Sequence, residues 1–255
     1  MELADYSFEI LGFLFAIGAL AGFLDALAGG GGLLSIPALL LSGMPPILAL
    51  GTNKLQASVG IGAATFLLFN KKKFAWKEVR VIVLISFIGS AIGAIFVQLI
   101  NTDSLTFITP IVLGFIALYF AISPEIKNTK SPESGWFYQY IAVPIIGAYD
   151  GMFGPGAGSF FVFTGVVFKR LDLIKSTIIA KPLNFASNVA SLIVFLSFGK
   201  VVWVIGLLMM AGQVIGASIG AHYLVKANPK VIRLLIVFMS VAMLLRYSYS
   251  MGWFS

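Results

Sequence analysis

The sequence contains no cysteine and a single histidine in 255 residues, and charged residues make up only 11% of it. Without cysteine the chain can form no disulfide, no thiol nucleophile and no thiolate metal site. The one histidine, His222, has neither a cysteine nor a second histidine with which to bind a metal ion. A soluble globular chain carries about 25% charged residues. This chain has too few charges to cover a water-facing surface, and we expect neither an enzyme nor a protein with a metal or cofactor site.

Apolar residues dominate the composition instead. Hydrophobic residues make up 59% of the sequence, and its mean hydropathy is +1.00. A helix needs about 20 apolar residues to cross a bilayer, and many of the apolar segments approach that length. The pattern predicts an all-α polytopic membrane protein with apolar segments at Phe8–Ala28, Leu33–Leu41, Pro46–Asn70, Val79–Ile100, Leu105–Ile122, Trp136–Phe153, Ser159–Phe168, Leu173–Phe198, Val202–Val225 and Val231–Tyr249.

Two of these segments are too short to cross the membrane. Leu33–Leu41 and Ser159–Phe168 each follow a cluster of glycines, and at about 1.5 Å per residue they reach only about half-way through the bilayer core. Non-helical backbone at this depth is tolerated only where protein covers it or where it lines a cavity. Each short segment is therefore predicted to pair with the helix before it as a glycine-broken helix/half-helix hairpin.

The same order of polar residues and glycines occurs twice in the chain. Gly22, Asp25, Gly29, Gly31 and Lys54 match Gly147, Asp150, Gly154, Gly156 and Lys181. The offset of 127 residues between the two lysines also relates Lys73 and Trp76 to Lys200 and Trp203. We predict two transmembrane repeats, residues 1–122 and 136–255, each with one broken hairpin plus three transmembrane helices. A cytoplasmic polar linker, residues 123–135, is predicted to join them.

Basic residues predict the orientation of the two repeats, because loops rich in lysine and arginine stay in the cytoplasm. One loop of the first repeat holds five of them, whereas the matching loop of the second repeat holds only Lys200. The reverse is true of Ser42–Pro46, which has none, and its counterpart, which holds three. The basic residues of the two rich loops are Lys71, Lys72, Lys73, Lys77 and Arg80, and Lys169, Arg170 and Lys175.

Matching loops therefore lie on opposite sides of the membrane, as in the inverted-topology repeats of many secondary transporters. An inverted repeat needs an odd number of crossings in each half, which places both termini outside. The formal net charge of +7 then reflects topology, and we expect no nucleic acid partner.

Lys54 and Lys181 are the first candidates for a functional site. Each lies about eight residues inside its helix, roughly 12 Å from the helix end, where insertion of a lysine costs about 2.5–3.5 kcal/mol. Two such lysines need partners. One interpretation is a structural ion pair with Asp25 and Asp150. The other is a site for an anion, in which the aspartates hold the lysines while the site is empty or accept a coupling proton.

Polar neighbours of the lysines favour the anion site. A polar helix face in lipid must point at protein or at a water-filled path, although small and polar residues also favour helix–helix packing. Backbone N–H groups at the start of a half-helix carry positive partial charge and bind anions. The predicted substrate-binding residues are Lys54, Lys181, Asn53, Gln56, Asn184, Asn188, Gly31, Gly32, Gly156, Gly158 and Ser159, with Asp25 and Asp150 in coupling or gating.

The sequence resembles the sulfite exporter TauE/SafE family of membrane permeases over nearly its whole length. The resemblance implies an inner-membrane carrier with two repeated halves whose members move sulfur-containing anions such as sulfite, thiosulfate or sulfonates. The second copy of the motif departs from the first at three positions, so the two half-sites are not expected to be equivalent. The motifs are GFLDALAGGGGLLSIPALL at Gly22–Leu40, LGTNKLQASVG at Leu50–Gly60, GAYDGMFGPGAGSFF at Gly147–Phe161 and GQVIGASIGA at Gly212–Ala221.

Three functional hypotheses follow. The first is a secondary transporter of a small, sulfur-containing anion that works by alternating access. The second is a proton or cation carrier in which Asp25 and Asp150 act as relays and the lysines are counter-charges. The third is a membrane component that binds a lipid or a partner chain without transport. All three place the chain in the lipid bilayer, and the sequence leaves the oligomeric state open, a homodimer included.

Overall fold

The structure is a computed structural model, which describes residues 7–101, 103–105, 107–109 and 135–223, and single positions at 111, 114, 115, 118, 238, 241, 245 and 249. Several sequence predictions lie outside the described residues. They are most of the segments Leu105–Ile122 and Val231–Tyr249, the linker 123–135 apart from Gly135, the first six residues, and Val225 at the end of Val202–Val225.

The described residues between Ser7 and Tyr223 are helical apart from short connections. The helices are α1 (Phe8–Ala28), α2 (Gly32–Leu41), α3 (Pro46–Asn70), α4 (Trp76–Gln98), α5 (Val143–Met152), α6 (Ala157–Val167), α7 (Leu173–Ser197) and α8 (Trp203–Tyr223). A helical turn at Gly135–Phe137 and a π-helical stretch at Tyr138–Ala142 lead into α5. These bounds agree closely with the apolar segments predicted from the sequence, the two half-helices included.

Local chemistry explains where the helices begin and end. The Ser7 side chain accepts a hydrogen bond from the Ile10 N–H at the start of α1, and Asp172 does the same for the Lys175 N–H at the start of α7. Such side-chain caps satisfy N–H groups that have no partner within a helix. Helix α1 ends at Ala28 and is followed by Gly29, whose φ of 77° is the left-handed conformation that glycine adopts without strain.

Within the part of the chain that the structure describes, four helices are long and apolar enough to cross a membrane, namely those at Phe8–Leu27, Trp76–Gln98, Ile174–Ser197 and Trp203–Tyr223. Large apolar side chains are exposed along them, among them Phe13 on α1 and Ile92 on α4, as expected of lipid-facing surfaces. Trp76 and Trp203 begin α4 and α8 and are each 54% exposed. Tryptophans at helix ends are typical of the membrane–water interface.

The fourth helix of each half packs on the other half. Helix α8 lies along α1 and α3, and α4 lies along α5 and α7. The backbones of α8 and α1 are in close contact, as are those of α4 and α5, because glycines face the carbonyl groups of the neighbouring helix. Gly216 faces the Ala19 oxygen, and Gly93 faces the Ala148 oxygen. Serine hydroxyls of α4 also reach across, since Ser90 Oγ donates to the Ser187 carbonyl oxygen at 2.6 Å.

The helix connections gather at two ends. Connection 71–75 and connection 168–172 lie at one end, where Phe74, Phe168 and Leu171 share an apolar cluster with Tyr138. Partial burial and the neighbouring Lys175 lower the pKa of Lys169 there, while Glu78 of α4 acts in the opposite direction. Connections 42–45 and 198–202 lie together in the second apolar cluster, through Met44 and Val202.

The glycine contacts predict an effect on stability. A Cβ added at Gly93 would press on the Ala148 carbonyl oxygen and lie 2.9 Å from Ala148 Cα, so Gly93→Ala should force α4 and α5 apart. Overpacking of this kind costs about 1–3 kcal/mol, and thermal unfolding of the detergent-purified protein would measure it. Gly12 of α1 has nothing within 4 Å of an added Cβ, which makes Gly12→Ala the matched control. Equal melting temperatures for the two variants would contradict the close packing.

Candidate functional site

The two helix breaks meet in the interior of the protein. The first break, between α1 and α2, is formed by Gly29 to Gly31, and the second, between α5 and α6, contains Gly154 and Gly156. They touch each other, because a Cβ on Gly29 would lie 2.6 Å from Gly158 Cα and a Cβ on Gly32 would lie 3.2 Å from Pro155 Cα. Each break is therefore covered by protein from the other half of the chain.

Lys54 joins the first half of the chain to the second break. It is the ninth residue of the 25-residue helix α3 and is fully buried. Its Nζ lies 2.7 Å from Asp150 Oδ1 and also donates to the Asp150 carbonyl oxygen. Gly154 makes room for this contact, since a Cβ there would lie 2.8 Å from Lys54 Nζ. The lysine therefore neutralises the aspartate and caps the end of α5.

The Asp150 carboxylate has two further donors, both from α7. Its Oδ2 accepts a hydrogen bond from the Ser187 hydroxyl and another from Asn188 Nδ2 at 3.1 Å. Asn188 Nδ2 is held in turn by Asn184, whose Oδ1 lies 2.9 Å away. A buried carboxylate with three donors is well satisfied as an anion.

Lys181 occupies the matching position in the other half. It is the ninth residue of the 25-residue helix α7, and its Nζ donates to the Asp25 carbonyl oxygen at 2.5 Å. Unlike Lys54, it forms no ion pair with the carboxylate beside it. The Asp25 carboxylate instead accepts the Gly31 N–H at 3.3 Å. The two half-sites therefore contain the same residue types but differ in their bonding.

The remaining predicted side chains lie close to the breaks. Asn53 Oδ1 accepts hydrogen bonds from Ser35 Oγ at 2.6 Å and from Gln56 Nε2 at 3.0 Å, and the Asn53 amide lies beside Gly32. The Asn184 amide lies beside Gly158, 2.9 Å from where a Cβ would be. One asparagine from each long central helix thus stands next to the start of a half-helix.

The half-helix N–H groups are used differently from the sequence expectation. Gly31 N–H was predicted to face an anion, but it donates to the Asp25 carboxylate. Leu33 N–H donates to Gly30 O at 3.1 Å and Ala157 N–H to Gly154 O at 3.0 Å. Several donors of the two breaks are thus committed within their own turns, because a broken helix satisfies its free groups locally where it can. The roles of Gly31, Gly32, Gly156, Gly158 and Ser159 in anion binding stay predictions.

The cleft beside Asp25 and Lys181 was not predicted. Its walls come from α1, α3, α7 and α8, and in this conformation it is too narrow to hold a water molecule. Sequence patterns gave no signal for it, because most of its wall is small or apolar. The lining residues are Asp25, Ala26, Gly60, Ile61, Ala64, Lys181 and Ala217.

Two hydrogen-bonding residues near the site were also missed or under-weighted. Ser187 donates to Asp150. From the sequence alone, a serine at this position fits helix–helix packing as well as it fits a binding site. Gln213 stands in a run of glycines and alanines that indicates close packing, yet its buried Oε1 has no hydrogen-bond partner in the described part of the chain. A lone glutamine in such a run is the one signal that could have found it.

The match to a family model decides the class of the protein. The model of the sulfite exporter TauE/SafE family matches residues 14–247. The chain belongs to this family. Its glycine motifs, which carried the resemblance, are the segments that form the two breaks and the α1–α8 contact.

Relatives similar over nearly their whole length are named as transporters. The chain is 41% identical to "Probable membrane transporter protein ORF9" of Sinorhizobium sp, covering 96% of this chain and 94% of the relative. It is 38% identical to a "Probable membrane transporter protein" of Haemophilus influenzae, with 98% and 99% covered. It is 40% identical to "Probable membrane transporter protein YfcA" of Escherichia coli K12, with 94% and 90% covered. No solved structure matches the chain significantly. The protein is a membrane transporter and not an enzyme.

The difference in bonding predicts different energetic coupling in the two half-sites. A double-mutant cycle with Lys54→Met and Asp150→Asn should give a coupling energy near the upper end of the range of about 0.5–3 kcal/mol found for contacting residues. The matched cycle with Lys181→Met and Asp25→Asn should give a coupling smaller by about 1 kcal/mol or more, because no ion pair joins those side chains. Denaturation of the purified variants in detergent would measure both, and equal couplings would contradict the asymmetry.

Proposed function

We propose that the protein is a secondary transporter of a small, sulfur-containing anion, of the sulfite, thiosulfate or sulfonate class. The observation that carries the proposal is the meeting of two buried lysines and two helix breaks at one place. A buried lysine is costly in a membrane and marks a substrate or ion path. Lys54 and Lys181 supply the positive charge, and the amides of Asn53, Gln56, Asn184 and Asn188 supply hydrogen bonds. Gly31, Gly32, Gly156, Gly158 and Ser159 form the turns that hold the anion between the halves.

The bonding of the carboxylates favours an anion over a cation as substrate. A cation site needs carboxylate and carbonyl oxygens that are free to coordinate the ion. The Asp150 carboxylate is engaged by Lys54, Ser187 and Asn188, and the Asp25 and Asp150 carbonyl oxygens are engaged by the lysines. These contacts support the part of the anion hypothesis in which the aspartates hold the lysines while no anion is bound.

The packing of the helices supports an inverted-topology repeat made of residues 1–122 and 136–255. Connections 71–75 and 168–172 lie at the same end. The first follows α3, the third helix of its half, and the second follows α6, the second helix of its half, so equivalent connections of the two halves lie at opposite ends. Connections 42–45 and 198–202 share the opposite end. We infer that the first end, which carries the basic loops, is cytoplasmic, that the termini lie outside, and that the membrane is the bacterial inner membrane. Transport then proceeds as one half rocks against the other.

Cysteine labelling tests the topology directly, since the wild-type chain contains no cysteine. Lys73, Lys169 and Phe198 lie in or beside different connections, and Lys73→Cys and Lys169→Cys should react with a membrane-impermeant maleimide only after bacterial cells are permeabilised. Phe198→Cys, which replaces a side chain 51% exposed at the other end, should react in intact cells. Labelling of Lys73→Cys and Lys169→Cys from opposite sides would contradict the inverted repeat.

Binding of small anions tests the function. The wild-type protein in detergent should show a rise in melting temperature with at least one of sulfite, thiosulfate, sulfate, methanesulfonate or isethionate. Lys54→Ala and Lys181→Ala should each weaken binding of that anion about tenfold or more, because a hydrogen bond to a charged group contributes about 1.5–3 kcal/mol. Flux of the same anion into liposomes that contain only this protein should follow.

Ser58→Ala is a suitable control for the binding experiment. Ser58 is buried on α3, one turn after Lys54, but its hydroxyl donates to the Lys54 carbonyl oxygen within the helix. This variant should bind like the wild type. Stable lysine variants that bind every tested anion as tightly as the wild type would refute the anion site and leave the lysines as structural caps.

A further inference from the structure

The two half-sites differ in how fully their charged groups are satisfied. An ammonium group has three N–H donors. Lys54 uses its donors on both the carbonyl oxygen and the carboxylate of Asp150, whereas Lys181 uses one on the Asp25 carbonyl oxygen. No carboxylate oxygen of the described residues lies within 4.0 Å of Lys181 Nζ. The half-site of Asp25 and Lys181 therefore has donor capacity to spare.

The repeat explains this difference residue by residue. At the offset of 127 that relates Lys54 to Lys181, Ser187 corresponds to Gly60 and Asn188 to Ile61. Ser187 and Asn188 are the side chains that donate to the Asp150 carboxylate. Their counterparts have no side-chain donor, so the Asp25 carboxylate lacks both hydrogen bonds. Polar groups that complete one half-site are thus replaced by glycine and isoleucine in the other.

The positions of the missing side chains form part of the cleft. Gly60 and Ile61 line it together with Ala64, which corresponds to Ser191 in the other half. Gln213 of α8 lies beside Gly60: a Cβ added to Gly60 would lie 3.1 Å from Gln213 Nε2. It is 2% exposed, and its Oε1 has no hydrogen-bond partner in the described part of the chain. A buried amide oxygen without a partner stands at the edge of the half-site whose carboxylate is under-satisfied, which points to a hydrogen-bond donor there, such as a protonated carboxyl group.

The buried charges set a condition on what this ligand brings with it. Among the described residues, the buried charged side chains are Asp25, Lys54, Asp150 and Lys181, and together their formal charges sum to zero. A monoanion that enters this interior alone would leave an uncompensated negative charge in a medium of low dielectric constant, which is strongly unfavourable. One proton taken up with the anion restores a sum of zero. Of the two carboxylates, Asp25 is the one with few hydrogen bonds to its ionised form.

We propose that a monoanion and a proton bind together at the Asp25–Lys181 half-site, the anion to Lys181 Nζ and the proton to the Asp25 carboxylate, while Asp150 keeps its hydrogen bonds from Ser187 and Asn188. The proposal rests on the anion-transport function and adds its coupling. Transport of one monoanion with one proton is then electroneutral. Gln213 contributes its amide to the bound anion or to the neutral carboxyl group.

The charged groups around Asp25 are accounted for on each neighbouring helix. Lys181 approaches from α7, and Asp150 on α5 and Lys54 on α3 are the other charged groups that act on Asp25. The break before α2 contributes the Gly31 N–H. Helix α8 presents Gln213 and Ala217 to this region, and neither carries a charge. Lys181 is thus the close cation that an anion can share with Asp25, and its charge remains balanced when the anion replaces the ionised carboxylate as its counter-charge.

Proteoliposomes of phosphatidylethanolamine and phosphatidylglycerol provide the test, with methanesulfonate and isethionate as probes. Both are monoanions that stay ionised over the whole working pH range, so neither can carry the proton itself. Wild-type protein should take up each probe together with an equal amount of proton, measured with a trapped pH dye. The uptake should not respond to the membrane potential. The apparent Kd should fall by up to about tenfold per unit decrease in pH, in the range where Asp25 takes up one proton on binding.

Asp25→Asn is the decisive variant, because asparagine resembles the protonated carboxyl group. It should still bind methanesulfonate, with a Kd that no longer depends on pH, and it should move the probe without proton uptake. Ser187→Ala is the matched variant in the other half-site, because it removes one hydrogen bond to Asp150 and leaves all four buried charges in place. It should lower the melting temperature and leave the pH dependence of binding intact.

The outcomes separate the coupling from the transport function. Wild-type uptake of a probe that follows the membrane potential, depends on sodium ions, or occurs without proton movement would refute the coupling and leave anion transport in place. A pH dependence that survives in Asp25→Asn would place the proton on another group and refute the proposal. If the wild type neither binds nor moves any anion of the wider set that includes sulfite and thiosulfate, the transport proposal itself fails.

Discussion

A helix that breaks inside a membrane must find partners for the peptide groups freed at the break, and this requirement shapes the whole site. The end of α1 is capped by Lys181, and the end of α5 by Lys54. Each ammonium group thus lies at a carbonyl-bearing helix end, where the helix dipole favours a cation. Each lysine comes from the other half of the chain, so neither break is complete without the opposite half. The lysines stabilise the fold and at the same time place positive charge where the breaks meet.

This double use of the lysines links structure to transport. A motion that separates the halves has to exchange the bonds of Lys54 and Lys181 for others, because an unpaired ammonium group in the interior is costly. Under the proposed function, an anion bound between the halves would offer such replacement bonds. The empty protein and the loaded protein can then both satisfy their buried charges, which is what a carrier needs in order to change conformation in either state. The narrowness of the cleft is consistent with a closed, empty form.

The sequence predicted the helices well because length, apolar composition and glycine clusters are local signals. It could not predict the partners of the lysines, since Lys54 bonds to a residue 96 positions away and Lys181 to one 156 positions away. It gave no sign that the Gly31 N–H donates to the nearby Asp25 carboxylate, and the role of Gly31 in anion binding stays a prediction. The cleft was invisible for another reason: it exists where Gly60 and Ile61 lack the polar atoms of their counterparts, and a missing group leaves no motif.

The exchange of the fourth helices between the halves matters for biosynthesis. Helix α4 lies along α5 and α7, which the ribosome makes after α4 has entered the membrane. Until then the glycine face of α4, with Gly89 and Gly93, has only lipid or the insertion machinery to contact. The first half is thus an unfinished intermediate that becomes native only when the second half arrives to complete it. A nonsense mutation in the linker would strand that intermediate, and the membrane proteases that remove unassembled helices would be expected to degrade it.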